Sequence, residues 1–205
     1  MALEAALLNL SQGVDFRRVK LGECCEVVSG ATPRTERPEY WNGTIPWATP
    51  RDVSSLDGPT LTRTEARITD EGYRSCSTTL LPVGAVLFTS RAPIGLVAMA
   101  GLPVCTNQGF KSFIPGAEVD SRYLYWCLRR EAPRIAARGS GSTFAEVSKS
   151  AISRFEIPLP SLSEQQRIAH ALDAVEAIRC KRRQSLGLLE DLHESLSQQL
   201  FLGAS

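Results

Sequence analysis

The sequence predicts an α+β fold, in which a mixed, largely antiparallel curved sheet with short helices precedes one long C-terminal α-helix. Short β-favouring runs, separated by glycine and proline turns, follow one another closely between residues 81 and 115. From Ser163 to about Leu200 the chain contains no proline and one interior glycine, Gly187. We therefore place a globular domain at residues 1–160 and a helical region at residues 161–205.

The sequence of the first part of the domain predicts strands joined by loops. Residues 16–21 alternate apolar and basic side chains, as an edge strand does, and residues 24–29 continue in β-favouring types. Residues 38–43 form a loop that ends in an Asn42-Gly43 turn. Residues 45–52 contain Pro46 and Pro50 and are too proline-rich for a central strand. The nearby Trp41 and Trp47 fit either a binding ledge or a corner of the core.

The sequence of the middle of the domain predicts a polar insert followed by a β meander. Residues 54–77 are polar and include a short helical or loop insert at 68–73. Strands are expected at 85–90, 96–100 and 104–115. Arg91, Asn107, Gln108 and Lys111 interrupt these apolar strands, so we expect them at strand ends on one rim. The amide side chains there can satisfy backbone groups or read a base, and both readings stay open.

A basic helix and a small-residue loop follow the meander. Ser121 is expected to cap a helix whose far end carries four arginines and which Pro133 kinks or ends. The small residues 139–142 form a loop, and Thr143 with Glu146 matches a capping box for a helix to about Ser153. Such a loop before a helix N-terminus suits phosphate binding, although the signal alone is weak.

The long helix carries a coiled-coil pattern. Ser163, followed three residues later by Gln166, matches a capping box, and a helix to Leu200 spans about 57 Å. Alternating steps of four and three from Ile168 reach mostly apolar positions. These apolar positions, the expected dimer interface, are Ile168, Leu172, Val175, Leu186, Leu189, Leu196 and Leu200. The helix either packs on its own domain or projects to pair with another helix. His193 lies on this seam as a packed or register-setting side chain.

Composition and missing motifs argue against catalysis, metal binding and membrane insertion. The chain has 205 residues, 43% hydrophobic, a net charge of +1 and two histidines. Its six cysteines contain no C-x-x-C pair, and most of them are expected to be buried thiols in a reducing cytoplasm. The first ten residues lack the basic leader of a signal peptide. There is no phosphate-binding loop, dinucleotide fingerprint or nucleophile elbow. We expect no catalytic residue, no cofactor and no metal ion.

Several motifs together resemble the specificity subunit of type I restriction–modification systems. They span about residues 16–200 in family order, and as a set they are highly specific. They are VSGATP at 28–33, EYWNG at 39–43 with IPW at 45–47, SRAPIG at 90–95, TNQGFK at 106–111, GSTF at 141–144, and IPLP at 157–160 with EQQRIA at 164–169.

The resemblance implies a target recognition domain for double-stranded DNA followed by a spacer helix. A separate modification subunit carries S-adenosylmethionine and methylates adenine, and a restriction subunit joins for cleavage. Family members usually hold two such units, so this chain is a half-subunit that forms a homodimer or a fragment of a full subunit. The expected DNA-binding residues are Arg34, Arg51, Arg63, Arg67, Arg91, Asn107, Gln108, Lys111, Arg138, Ser140, Ser142 and Thr143. Base readers are expected in less typical loops such as residues 54–77.

Two other classes of function compete with this reading. An assembly or competitor half-subunit would act through its helix alone and would not bind DNA as a homodimer. An enzyme would need a nucleophile with a base or a cofactor loop, and the sequence offers neither. DNA affinity that falls with salt separates the first two classes.

Overall fold

The computed structural model describes residues 16–139 and 146–202, with side chains up to residue 198. The strands in this part of the chain are β1 (Arg18–Lys20), β2 (Cys25–Ser29), β3 (Trp41–Ala48), β4 (Thr60–Leu61), β5 (Ala66–Ile68), β6 (Val86–Phe88), β7 (Val97–Ala100), β8 (Cys105–Thr106), β9 (Lys111–Pro115) and β10 (Glu156–Pro158). The α-helices are α1 (Leu21–Cys24), α2 (Pro50–Ser54), α3 (Asp70–Arg74), α4 (Ser121–Ala136), α5 (Lys149–Ser153) and α6 (Leu162–Leu202).

The strands form three sheets, and most of their pairings are antiparallel. The largest sheet has the order β2-β9-β6-β7-β4, the second β5-β3-β8, and the third pairs β1 with β10. Only β3–β8 and β4–β7 are parallel among these pairs. The expected α+β class, with a largely antiparallel sheet domain and a long C-terminal helix, is confirmed.

Among the described residues, two apolar clusters lie around the larger sheets of the domain. The larger one lies around the five-stranded sheet and includes Leu61, Leu87 and Phe110, each fully buried. The smaller one joins Trp47, Ile68 and Cys105, with Trp41 packed against it. The two tryptophan rings meet edge to face at 5.0 Å, which is a favoured aromatic geometry. The tryptophans therefore form a corner of the core.

Two predictions about the segment around β3 are wrong. Residues 41–48 form the middle strand of the three-stranded sheet despite Pro46. This is possible because β8 pairs only with Trp47 and Ala48, so Pro46 has a partner strand on one side. Asn42-Gly43 does not end a loop but lies inside β3, where the register shifts, and Asn42 adopts φ 60°.

The predicted helix boundaries also need correction. Asp120, not Ser121, caps α4 by accepting a hydrogen bond from the Tyr123 N–H. The helix continues past Pro133 to Ala136, because burial of Ala132 and Ile135 offsets the lost backbone bond.

The expected start of the next helix at Thr143 falls outside the described residues. The helix observed there, α5, begins only at Lys149, after the cap Ser148. Similarly, α6 begins at Leu162, and Ser161 rather than Ser163 supplies the cap, because its hydroxyl accepts from the Glu164 N–H.

The described chain divides into two compact units, one ending at Gln166 and the other beginning at Arg167. In the second unit, the carboxylate of Glu176 forms ion pairs with Arg179 and Arg183 on the surface of the helix. No helix in the described ranges is long and apolar enough to cross a membrane.

Candidate functional site

A polar cleft opens between α2 and the β4–β5 connection. Its volume is about 700 Å³, and its lining comes entirely from residues 51–65. Arg51 and Arg63 line it together with the acidic Asp57 and Glu65. Arg51 lies 4.0 Å from Glu65, and both side chains are more than 70% exposed. Both charge signs are thus presented on a solvent-accessible concave surface, which suits recognition of hydrogen-bonding edges.

Asp52 holds the two walls of this cleft together. Its Oδ2 accepts hydrogen bonds from the N–H and the hydroxyl of Thr49, each at 2.7 Å, and so caps α2. Its Oδ1 accepts from the Glu65 N–H at 2.8 Å, across the cleft. Asp52 is buried, so these three hydrogen bonds replace the water that its carboxylate loses. The sequence offered a signal for the cap, in Thr49 followed three residues later by Asp52, but none for the bond to Glu65.

The sequence motifs around residues 28–33, 90–95 and 106–111 meet in one hydrogen-bonded junction, which we call the motif junction. The Ala31 N–H donates to the Thr106 carbonyl at 2.9 Å, and Ser90 donates its N–H to the Gly109 carbonyl at 2.7 Å. A Cβ on Gly30 would lie 2.0 Å from the Asn107 carbonyl oxygen, so only glycine fits there. The junction therefore builds the fold at this rim.

Several predicted DNA-binding residues lie within or beside the motif junction. The Asn107 side chain accepts from the Gly109 N–H at 2.9 Å, and exposed Gln108 accepts from the Thr32 hydroxyl. Asn107 thus satisfies backbone, which was one of its two open readings. The expectation that Arg91, Asn107, Gln108 and Lys111 meet on one rim agrees with this arrangement.

Glu146 ties Arg91 to Lys111. Its carboxylate accepts from Arg91 Nε at 2.8 Å and from Lys111 Nζ at 3.2 Å. The Lys111 side chain is only 8% exposed, whereas that of Arg91 is 47% exposed. Partial burial raises the pKa of Glu146, but the hydrogen bonds from Arg91 and Lys111 outweigh it and hold that pKa below its ordinary value. The sequence pattern placed Glu146 in a helix cap with Thr143 and gave no signal for its pairing with Arg91 and Lys111.

The remaining predicted DNA-binding residues are spread over the domain. Arg51 and Arg63 share the cleft, and Arg67 is exposed and donates to the Thr44 carbonyl at 3.2 Å. Arg34 is exposed. Arg138 is exposed beyond the end of α4. Ser140, Ser142 and Thr143 lie outside the described residues.

The long helix α6 exposes several leucines of the predicted seam. Leu186, Leu189 and Leu196 of the predicted seam are 51%, 60% and 48% exposed. Of the other seam residues, Leu172 is buried, Ile168 and Val175 are half-buried, and the Leu200 side chain is not described.

Two exposed leucines beside the seam were missed by the heptad count. Leu188 and Leu192 are 69% and 55% exposed, and they fall on the same side as Leu189 and Leu196 when 3.6 residues are counted per turn. We call Leu188, Leu189, Leu192 and Leu196 the leucine stripe. A helix face this apolar is typical of a surface that pairs with another helix.

The pKa values of the buried thiols Cys105 and Cys127 are raised, so these thiols are not activated as nucleophiles. Burial raises the pKa of Cys105 to about 11 and that of Cys127 to about 12, so both stay protonated at pH 7. Within the described ranges no cluster of histidine, cysteine or carboxylate side chains could hold a metal ion.

Comparison with solved structures defines the fold class. A chain from a study of complex assembly and conformational transition of the type I R-M system superposes with a TM-score of 0.74 at 24% identity, covering 96% of this chain and 51% of that one. The HsdS subunit from Thermoanaerobacter tengcongensis gives a TM-score of 0.70 at 24% identity, covering 100% and 51%. At this identity the likeness establishes a shared fold.

Sequence comparison then establishes the family. Residues 13–188 match the model described as "Type I restriction modification DNA specificity domain", and this chain belongs to that family. It is 38% identical over 190 residues to the MjaIX specificity subunit of Methanocaldococcus jannaschii, covering 92% of this chain and 44% of that subunit. It is 32% identical to the EcoR124I/EcoR124II specificity subunit of Escherichia coli, covering 84% and 43%. The chain thus spans about half the length of these relatives.

Proposed function

We propose that this chain is the DNA sequence-specificity component of a type I restriction–modification system. Its globular domain recognises one half-site of double-stranded DNA, and a homodimer recognises a two-part target. The dimer directs a separate methyltransferase subunit, and a restriction subunit joins for cleavage. The chain itself is not catalytic. The family match and the names of the relatives, which are specificity subunits, support this proposal.

The observation that carries the proposal is the polar cleft of residues 51–65. It overlaps the stretch 54–77 where the resemblance placed the base readers, and it presents Arg63 from that stretch and Arg51 from just before it. An arginine fork can donate to both O6 and N7 of guanine, while a carboxylate can accept from the cytosine amino group. The cleft therefore offers donors and acceptors suited to base edges in a major groove.

The other proposed DNA contacts come from side chains outside the cleft. Arg34 and Arg67 are exposed outside the lining of the cleft and contact phosphate or base. Arg91, Asn107, Gln108 and Lys111 contribute through the motif junction, where Lys111 and Asn107 already have internal partners. Contacts of this kind fix the orientation of a protein on DNA and carry little sequence information.

The test is selection of bound duplexes from a random-sequence DNA pool, followed by sequencing. We expect the wild-type chain to enrich one half-site motif. Arg63→Gln is expected to weaken the preference at one base pair by about 5- to 150-fold, which corresponds to about 1–3 kcal/mol for a bidentate contact. Arg37→Gln removes an equal charge outside the cleft, where Arg37 pairs with Glu39, and should keep the motif.

An assembly or competitor half-subunit that acts through its helix remains the second candidate, because the leucine stripe fits it equally well. It predicts a dimer with no DNA affinity. If the wild-type chain enriches no sequence while still forming a dimer, the specificity proposal fails and this second candidate stands.

A further inference from the structure

Four exposed arginines lie within or directly after α4 and α5. Arg130, Arg134 and Arg138 are spaced by four residues, so they follow one side of the helix at steps of about 6 Å. Arg154 follows α5 directly as its C-cap. All four are exposed, and we call them the arginine patch.

The ring of Phe155 organises part of this patch. Phe155 is 2% exposed and cannot move without disturbing the core. The guanidinium carbon of Arg138 lies 4.9 Å from its ring centroid, and that of Arg134 lies 5.8 Å away. Stacking on a fixed ring holds the planar guanidinium groups in place while leaving donors free for a ligand.

The charge of the patch is only partly compensated within the domain. Glu131 is buried and accepts from Arg134 at 2.6 Å, with Arg130 at 3.7 Å. Within the described residues no carboxylate pairs with Arg138 or Arg154. Arg138 follows the C-cap of α4 and Arg154 is the C-cap of α5, so a helix dipole compensates part of the charge of each. Arg138 and Arg154 thus present two positive charges to solvent, and the ring of Phe155 holds that of Arg138.

We propose that the arginine patch binds the phosphodiester backbone of double-stranded DNA outside the base-reading cleft. This inference rests on the proposed function and adds a second contact that supplies affinity without sequence preference. The row from Arg130 to Arg138 is about 12 Å long, and one DNA strand presents a phosphate about every 3.4 Å along its axis. Arginine forks match phosphate oxygens in pairs.

The test is the salt dependence of binding to a random-sequence duplex, which isolates backbone contacts from base reading. Each lost phosphate contact should lower the slope of log K against log salt by about 0.9. We expect Arg138→Gln/Arg154→Gln to give a slope shallower by about 1.8. These two arginines are chosen because their removal leaves the ion pairs of Glu131 intact.

Two control variants separate charge from folding. Arg138→Lys/Arg154→Lys keeps both charges and should keep the wild-type slope. Arg17→Gln removes an exposed arginine that already pairs with Glu118, and it should change the slope little. The selected half-site motif should be the same for the wild-type chain and for the glutamine double variant, because the patch does not read bases.

Each remaining outcome decides against the inference. A wild-type slope for the glutamine variant would overturn it while leaving the proposed function standing. Unchanged DNA binding together with lost association with a methyltransferase subunit would assign the patch to a protein partner. If the wild-type chain does not bind duplex DNA at all, the proposed function fails and this inference fails with it.

Discussion

At the scale of the residue, Glu146 links a surface cation to a buried one. Because Lys111 is buried, removing the carboxylate leaves an ammonium without its partner in a poorly solvated place. We expect Glu146→Gln to lower the free energy of unfolding at pH 7 by about 1–3 kcal/mol, the range for a hydrogen bond to a charged group. Urea unfolding measures this change. The exposed Glu118 supplies the matched control, since Glu118→Gln should cost no more than about 0.5 kcal/mol.

The same residue sets a direction for the pH dependence. The pKa of Glu146 is lowered in the folded state, so its contribution is present above the unfolded pKa and is lost as pH falls through the folded pKa. The wild-type chain should therefore lose more stability than Glu146→Gln between pH 7 and pH 3. Equal losses for both proteins would show that the ion pairs of Glu146 do not stabilise the fold.

The sequence predicted residue types at this scale better than it predicted their partners. It indicated that Arg91, Asn107, Gln108 and Lys111 share a rim, because interruptions of apolar strands fall at strand ends. It did not indicate Glu146 as their counterion, which comes from 35 residues further along the chain than Lys111. Pairings between distant segments depend on how the sheets pack, and no local pattern encodes them.

At the scale of the element, the first turn of α6 is fixed by a buried glutamine. The side-chain amide of Gln165 donates to the carbonyls of Glu118 and Pro160 at 2.8 and 2.9 Å. Its oxygen accepts from the Asp120 N–H at 2.8 Å. We expect Gln165→Ala to lower the free energy of unfolding by about 2–4 kcal/mol, because it leaves buried polar groups unsatisfied. Thermal or urea unfolding provides the measurement.

The neighbouring Gln166 is the natural control for this prediction. It is exposed, so Gln166→Ala should change stability by less than about 0.5 kcal/mol. Equal effects of the two substitutions would contradict the anchoring role of Gln165. The sequence pattern had selected Gln166 as the capping-box partner. The cap lies at Ser161, two residues earlier than expected, and Gln165 is the glutamine that faces Glu118, Asp120 and Pro160.

The elements themselves were predicted more reliably than their ends. The long helix followed from the absence of proline, and most strands of the meander followed from their composition. Boundaries failed where tertiary packing overrode a local rule, as at Pro133 inside α4 and Pro46 inside β3. The cleft of residues 51–65 was foreseen as a polar loop, but its walls depend on the bond from the Glu65 N–H to Asp52.

At the scale of the whole molecule, the half-length of the chain and the leucine stripe lead to one prediction. Relatives about twice as long hold room for two such units, and a two-fold dimer restores that number with identical surfaces in contact. We expect the purified chain to show twice its mass of 22.4 kDa by light scattering at micromolar concentration. A symmetric dimer of this kind would read an interrupted palindrome, because the symmetry of the DNA site mirrors that of the protein.

Charge placed on the leucine stripe should split this dimer. Leu189→Glu removes two leucines that the expected dimer would bury, each contributing about 1.5–3 kcal/mol, so Kd is expected to rise at least about 100-fold. Gln198→Glu adds the same charge nine residues away, two and a half turns along and thus on the opposite side of the helix. It should leave the mass unchanged. If wild type, Leu189→Glu and Gln198→Glu are all monomeric, the seam does not join two copies, and a single chain reads only one half-site.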